Sequence, residues 1–399
     1  MKGRFVRRNG NDMKYDFDKP TERRGTGSVK WDVAPGELPM WIADMDFETA
    51  PAVKREIEKT ASVGIYGYST IPDEYFDSIS DFWYDRFKYR FSPSDMVYSN
   101  GVVAAISSMV RKLTTPGENV LIQPPVYNIF YNSILNNGRN VLTNELSFDG
   151  ENYTIDFFDL EQKLKNPQTS LMIICNPHNP VGKVWSREEL CRIGELCKKY
   201  SVTVISDEIH CCITAPNVRY TPFASASDVC ADISATCIAA SKSFNLAGLQ
   251  SAAVVAKNPV LRHKIWRGIN TDEVGEPNIF SMNANIAAYR EGGEWLDGLN
   301  EYIWENKKFA VNYLKENAPR LWARVTDATY LLWVNISAYS ADSLSFARDL
   351  REKTGLYVND GAEYGPGGEK FIRVNLATQR KNVEAGMKML AEYVASLEK

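Results

Sequence analysis

Histidine is scarce in this chain. Only three occur among 399 residues, His178, His210 and His263. That argues against a histidine-rich metal centre, and no metal is expected. The seven cysteines, Cys175, Cys191, Cys197, Cys211, Cys212, Cys230 and Cys237, include no C-x-x-C pair. An odd, scattered set is no disulfide framework; it reads as reduced, buried thiols of a cytoplasmic protein. Excess positive charge is also lacking. The 46 Lys and Arg stand against 50 Asp and Glu, a formal charge of −4, so nucleic acid is not an expected partner. No apolar run approaches the roughly 18 residues of a membrane span. The opening stretch MKGRFVRRNGNDMKYDFDKP lacks the apolar core of a signal peptide. A cytoplasmic protein without a membrane partner is expected.

What is present is core-forming. Hydrophobic residues make up 44% of the chain, enough for packed interiors. Single cores stop growing near roughly 250–300 residues, so about two domains are expected. The first forty residues are polar, with Gly25, Gly27, Pro35 and Pro39, and read as an extended arm. Thr49 and Pro51 mark the N-cap and first turn of a helix to Ser62. A second helix follows Pro72, with Tyr75, Phe76, Ile79, Phe82, Trp83 and Phe87 on its apolar side.

From about residue 95 to 290, apolar β-branched runs alternate with helical segments. The runs are Val120–Gln123, Leu171–Cys175, Val202–Ser206, Thr236–Ala240 and Ala252–Ala256. They are apolar throughout, as strands buried on both faces are. Ser186 and Glu189 form a capping box before another helix. The class is α/β with a mostly parallel sheet. Beyond 290 a helix is expected from Trp295 to Asn317, then strand-like Tyr330–Ile336, a helix over Asp342–Lys353, strand-like Lys370–Asn375 and a last helix from Arg380. The predicted division is an arm and part of a small domain at 1–50, a large domain at 51–290 and an α+β small domain at 291–399.

Ligands of open α/β sheets bind beyond the carboxyl ends of the strands. There the chain places Asn176-Pro177-His178-Asn179-Pro180-Val181-Gly182, then Asp207-Glu208-Ile209-His210, then Ser241-Lys242-Ser243-Phe244-Asn245. Successive groups are each separated by about one crossover unit, roughly 30 residues. Singly, each has a plain reading: a rigid turn, a helix cap, a solvated lysine. Together they bring an amide, a carboxylate and an amine to one sheet edge. This set suits pyridoxal 5′-phosphate, which needs a Schiff-base lysine and an acid against its pyridine nitrogen. Lys242 and Asp207 take those parts, and Asn179 donates to O3′. Tyr127, after Gln123-Pro124-Pro125, stacks on the ring. The helix opening at Ser99-Asn100-Gly101-Val102-Val103 offers backbone amides to the phosphate.

These motifs resemble those of fold type I, class I/II aminotransferase-like pyridoxal phosphate enzymes, over nearly the whole chain. Within them the chain is similar to the MalY/PatB-type cystathionine β-lyases. The supporting stretches are Gly25-Thr26-Gly27-Ser28-Val29-Lys30-Trp31-Asp32, Met40-Trp41-Ile42-Ala43-Asp44-Met45-Asp46-Phe47, Tyr66-Gly67-Tyr68 and Ala247-Gly248-Leu249-Gln250. The resemblance implies an aspartate-aminotransferase-like fold with a mixed sheet and a homodimer with a shared active site. Lys242, Asp207 and Tyr127 become catalytic, and Gly101, Val102, Val103, Asn179, His210 and Ser241 cofactor-binding. Tyr68 reaches the phosphate and substrate of the other subunit. Arg373, in Phe371-Ile372-Arg373-Val374-Asn375, grips the substrate α-carboxylate with its planar guanidinium, and Asn179 assists. Three positions depart from common superfamily residues: His210 for Tyr, Ala239 for Ser or Thr, and Gln250 for Arg. The last two shift phosphate binding onto the helix start, Ser241 and Tyr68.

The expected activity is β-elimination on L-cystathionine or a related sulfur amino acid. Lys242 takes the Cα proton, and the thiol, homocysteine from cystathionine, leaves with pyruvate and ammonia. That implies methionine biosynthesis. An aminotransferase shares every step up to the carbanion, and the motif residues serve both routes. A third reading adds a regulatory binding role. Trp31 is expected to pack, while Trp41 suits either packing or the substrate pocket.

Overall fold

A computed structural model describes residues 14–398. Residues 1–13 of the expected arm, and Lys399, lie outside the described residues. Seven strands form the principal sheet, in the spatial order Met96–Ser99, Ala252–Val255, Ser234–Ile238, Thr203–Asp207, Thr169–Cys175, Asn119–Ile122 and Asn140–Thr143. Ala252–Val255 alone runs against its neighbours; the other pairs are parallel. All five anticipated runs are strands, shifted by one or two residues. The central ones are buried on both faces, which is why they read as unbroken apolar runs. Asn140–Thr143 escaped the reading because it is a half-exposed edge strand without such a run.

Helices cover this sheet. Pro51–Ser62 begins at the expected proline, but Thr49 does not cap it. Ala50 occupies the N-cap, and the Thr49 hydroxyl instead donates to the carbonyl of Phe244 at 2.7 Å. The chain entering this helix is thus tied to the loop after the lysine strand, and a side chain used there cannot also cap. Asp73–Phe87 buries Tyr75, Ile79, Phe82 and Trp83, with Phe76 and Phe87 partly covered. The capping box before Arg187–Lys199 is reciprocal: Ser186 Oγ accepts from Glu189 N at 3.1 Å, and Glu189 Oε2 from Ser186 N at 2.7 Å. No helix among the described residues is long and apolar enough to cross a membrane.

The C-terminal part carries a smaller antiparallel sheet, ordered Leu331–Asn335, Phe371–Asn375, Asn359–Asp360. Helices Ser343–Thr354 and Arg380–Leu397 pack with it, and Gly293–Asn317 forms the long connecting helix. The arm joins both parts. Leu38–Pro39 pairs parallel with Leu356–Tyr357. Met40 packs with Leu356, Ile372 and Met387, while Phe17, Met45 and Phe47 pack with Phe82, Phe244, Trp295 and Tyr302. Each buried side chain of this kind contributes roughly 1.5–3 kcal/mol, so the arm is an integral part of the interior rather than a loose tail. All seven cysteines are free, and all but Cys191 are buried.

Candidate active site

The parallel strands end level with one another. Cys175 pairs with Asp207, and Asp207 with Cys237. Asn176 N donates to Asp207 O at 2.9 Å, and Glu208 N to Cys237 O at 3.0 Å. The turn bearing Asn179, the acid and the lysine loop therefore leave the sheet at one edge. Asp207 is buried, and among the described residues its carboxylate accepts only from Ile209 N, at 3.2 Å. Burial pushes its pKa up to about 6. Lys242 Nζ donates to the carbonyl of Ala43 at 2.6 Å. Burial lowers its pKa to about 8, with Arg373 acting in the same direction and Asp44 and Asp207 opposing. His210 is buried and held neutral, its pKa pushed well below the ordinary value by burial and then by Lys242. Its Nδ1 has no partner among the described residues. Tyr127 sits edge-on to Phe130 at 5.7 Å, and burial raises its phenol to about 12.

Arg373 enters from the smaller sheet. Its Nη2 donates to Asn359 Oδ1 at 2.9 Å and Trp41 O at 3.1 Å, and its Nη1 to Asn179 Oδ1 at 3.3 Å. The guanidinium lies 4.8 Å from the centre of the Tyr364 ring. It is buried, its Nε has no partner, and among the described residues no carboxylate stands within ion-pair distance. A buried cation with only neutral partners among the described residues suits an anionic ligand such as a carboxylate.

The helix Val102–Leu113 opens at the same edge. Gly101 before it has φ +147°, a conformation that favours glycine, and no side chain caps the helix. The first amides, those of Val102 and Val103, are therefore left for an outside acceptor. The Val103 side chain is half exposed, so this residue offers its backbone. The turn leading into the reversed strand Ala252–Val255 brings Gln250, two residues before it, here too: a Cβ on Gly101 would lie 3.4 Å from Gln250 Oε1. An uncharged amide thus stands where the superfamily commonly has arginine. Ser241 is half-buried at the start of the lysine loop. Tyr68 is brought to none of these residues; it is fully exposed at 105%, near exposed Tyr66, Ile65 and Val63.

Sequence reasoning missed how the arm builds one wall. Asn375 Nδ2 donates to Ile42 O at 2.7 Å and Asp44 O at 2.6 Å. Asn245 holds Met45 N and O at 3.1 and 3.0 Å. The Tyr330 hydroxyl donates to Ala43 O at 2.9 Å. Behind this wall, buried Asp46 accepts from Lys30 and Arg23 at 2.8 Å and from Trp31 Nε1 at 2.7 Å. Burial opposes its charge, yet Lys30 and these donors hold its pKa below the usual value. Trp31 is half-buried, with the Arg24 guanidinium 5.2 Å from its ring centre. Trp41 stacks on Tyr357 at 4.7 Å and donates to Lys30 O at 3.2 Å. Glu208 was missed as well. Fully buried beside Asp207, it accepts from Ser206 Oγ at 2.8 Å, Phe223 N at 2.9 Å and the Tyr220 hydroxyl. Burial raises its pKa to about 7. The signal for the two asparagines lay in F-I-R-V-N and S-K-S-F-N; Tyr330 and Glu208 had none of their own.

The sheet order, the crossing strand and the acid, amide and amine at one edge define an aspartate-aminotransferase-like, fold type I α/β scaffold. The chain belongs to the aminotransferase class I and II family, which its residues 39–390 match. It is 41% identical over 382 residues to cystathionine beta-lyase PatB of Bacillus subtilis, covering 94% of this chain and 98% of that one. A crystal structure of cystalysin from Treponema denticola, which contains a pyridoxal 5′-phosphate cofactor, superposes with a TM-score of 0.92 at 30% identity, covering 96% of this chain and 100% of that one. A PLP-bound protein of Clostridium difficile 630, described as a candidate aminotransferase, gives a TM-score of 0.92 at 36% identity, covering 94% and 99%.

Proposed function

We propose that this chain is a pyridoxal 5′-phosphate-dependent carbon–sulfur lyase of the cystathionine β-lyase type. It acts on L-cystathionine or a related sulfur amino acid and releases thiol, pyruvate and ammonia. The observation that carries this reading is the trio of half-buried Lys242 and buried Asp207 and Arg373 around one sheet edge. The similarity to PatB over nearly the whole chain selects elimination among the reactions such a trio serves.

The residues fit the cofactor. Asp207 is a desolvated carboxylate short of donors, suited to a cationic ring nitrogen. The uncapped amides of Val102 and Val103 after Gly101, with Ser241 nearby in the fold, suit a phosphate. Among the described residues His210 Nδ1 has no partner and the Asn179 side chain is bonded only through its Oδ1, by Arg373, while Tyr127 offers a ring face. Lys242 would supply the amine that anchors the cofactor. Bound pyridoxal phosphate supplies an electron sink for the pair released at Cα.

Arg373 binds the α-carboxylate and so fixes which bond at Cα faces Lys242. Lys242, depressed towards neutrality, takes the Cα proton. As Cα–Cβ becomes a double bond, Cβ–S breaks and the sulfur leaves with its electron pair, to be protonated as thiol. The aminoacrylate then hydrolyses to pyruvate and ammonia. From cystathionine the thiol is homocysteine, and a role in methionine biosynthesis in the cytoplasm is part of this proposal.

The same reading divides the chain into the arm (1–50), a cofactor domain (51–290) and a smaller domain (291–399), with the site between them. It also requires a homodimer. The exposed stretch Val63, Ile65, Tyr66 and Tyr68 supports a second copy as its partner, with Tyr68 completing the neighbour's site.

The test is incubation of purified holoenzyme with L-cystathionine and no keto acid. Pyruvate with free thiol is expected. Turnover only on adding a keto acid would replace the lyase by an aminotransferase, the assignment described for the similar C. difficile protein.

A further inference from the structure

Two donors converge on one backbone oxygen. Lys242 Nζ reaches Ala43 O at 2.6 Å, and the Tyr330 hydroxyl donates to the same atom at 2.9 Å. A carbonyl oxygen has two lone pairs. Tyr330 fills one, and the amine is confined to the other. The oxygen is held in place by its neighbours, since Asn375 bonds the carbonyls of Ile42 and Asp44 on either side of it. Tyr330 is itself buried, its ring roughly perpendicular to that of His210 with the ring centres 5.8 Å apart. Burial of the ring and the bond to Ala43 O together hold the hydroxyl in place.

We propose that Tyr330 is a positioning residue for the lyase reaction: by sharing the Ala43 carbonyl it seats the free Lys242 amine and weakens that oxygen's hold on the protonated amine. The proposal rests on Lys242 being the base. A hydrogen bond from an ammonium to a carbonyl is charge-assisted and favours the charged form. A second donor on the same oxygen draws on the same electron density and lessens that preference. The amine is then released more readily as a base and directed along one lone pair.

The other groups facing Lys242 are Asp44 from the arm, Asp207 and His210 from the segment after the Thr203–Asp207 strand, and Arg373 from the smaller sheet. Tyr330 is faced by Asp44, Arg373 and Tyr127. Replacing the hydroxyl by hydrogen removes none of these, so Tyr330→Phe isolates the shared oxygen.

In the holoenzyme, Tyr330→Phe is expected to lower kcat by about tenfold and to leave KM within about twofold. The ascending limb of kcat against pH should move to higher pH. In the cofactor-free full chain, the pH dependence of Lys242 acylation by an amine-reactive ester, read by peptide mass spectrometry, should shift its midpoint upwards. An unchanged midpoint overturns the proposal, including where kcat and the unfolding temperature fall together, since that pattern is loss of packing alone. A rise in KM with kcat unchanged also overturns it. Borohydride reduction followed by peptide mapping checks the underlying reading separately. Cofactor found on a lysine other than Lys242 overturns both, whereas cofactor on Lys242 with an unmoved midpoint overturns this proposal only.

Discussion

Asn179 Oδ1 accepts a hydrogen bond from Arg373 Nη1 at 3.3 Å, across 194 residues of chain. The contact joins the turn after a strand of the large sheet to the middle of the smaller sheet. It also orients the Asn179 amide, because an oxygen turned to the guanidinium turns the NH2 group away from it. One residue thereby links the expected cofactor contact to the expected substrate contact, and changes at Arg373 should be felt at both.

Arg373→Lys should lower kcat/KM for an amino-acid substrate by roughly 10²-fold. An ammonium lacks the fork that meets a carboxylate bidentately and leaves Asn359 and Asn179 short of donors. Steady-state kinetics with L-cystathionine measure this. A substrate analogue without the α-carboxylate should lose little, and an equal loss for both would remove Arg373 from carboxylate binding.

Glu208 should make the cofactor-free protein less stable as pH rises through neutrality. In the unfolded chain it titrates near 4.5, whereas burial in the folded protein raises it to about 7. Between those values the folded state keeps a proton that the unfolded state has given up, so raising the pH favours unfolding. The stabilisation is fully present below the unfolded value and is lost through the folded one, at up to about 1.4 kcal/mol per pH unit. Urea denaturation between pH 5 and 8 should show this slope in the wild type and a shallower one in Glu208→Gln.

Gly361→Ala should destabilise the protein by about 1–3 kcal/mol. A Cβ there would lie 2.2 Å from Gly368 O and 2.4 Å from Phe371 O, and neither backbone atom can swing aside. The turn so disturbed carries the strand leading to Arg373 and the neighbouring Asn359. Chemical denaturation checks the stability, and a raised KM checks the coupling to the site.

A mixture of Lys242→Ala and Tyr68→Ala subunits, unfolded and refolded together, should recover activity above that of either parent. The hybrid dimer would own one site with both residues intact and one with neither. Recovery equal to the average of the parents would place Tyr68 outside the shared site.

The order of motifs was legible because a parallel α/β sheet repeats one mechanical unit: strand, crossover helix, strand. Residues just past each strand must reach the same edge, so Asn179, Asp207 and Lys242 were recognisable from spacing and type alone. Arg373 sat on a legible strand, but its role came only from resemblance, since an arginine on a strand has many ordinary uses. Thr49 shows the opposite case. Its type suits a cap, yet the tertiary partner Phe244 O claimed it.

By itself, then, the sequence determined the α/β class, the unbroken buried strands, the helices and the acid, amide and amine at one edge, all of which follow from local periodicity and short spacing. Only the tertiary structure decided the reversed strand that sets Gln250 beside Gly101, the arm as a wall of the site, and the meeting of Lys242 with Tyr330 on Ala43 O. The physical reason is the nature of those contacts. The first follows from long-range strand pairing, and the other two run from side chains to backbone carbonyls hundreds of residues away; a carbonyl is the same group in every residue, so no residue type and no period in the chain announces which one will be used.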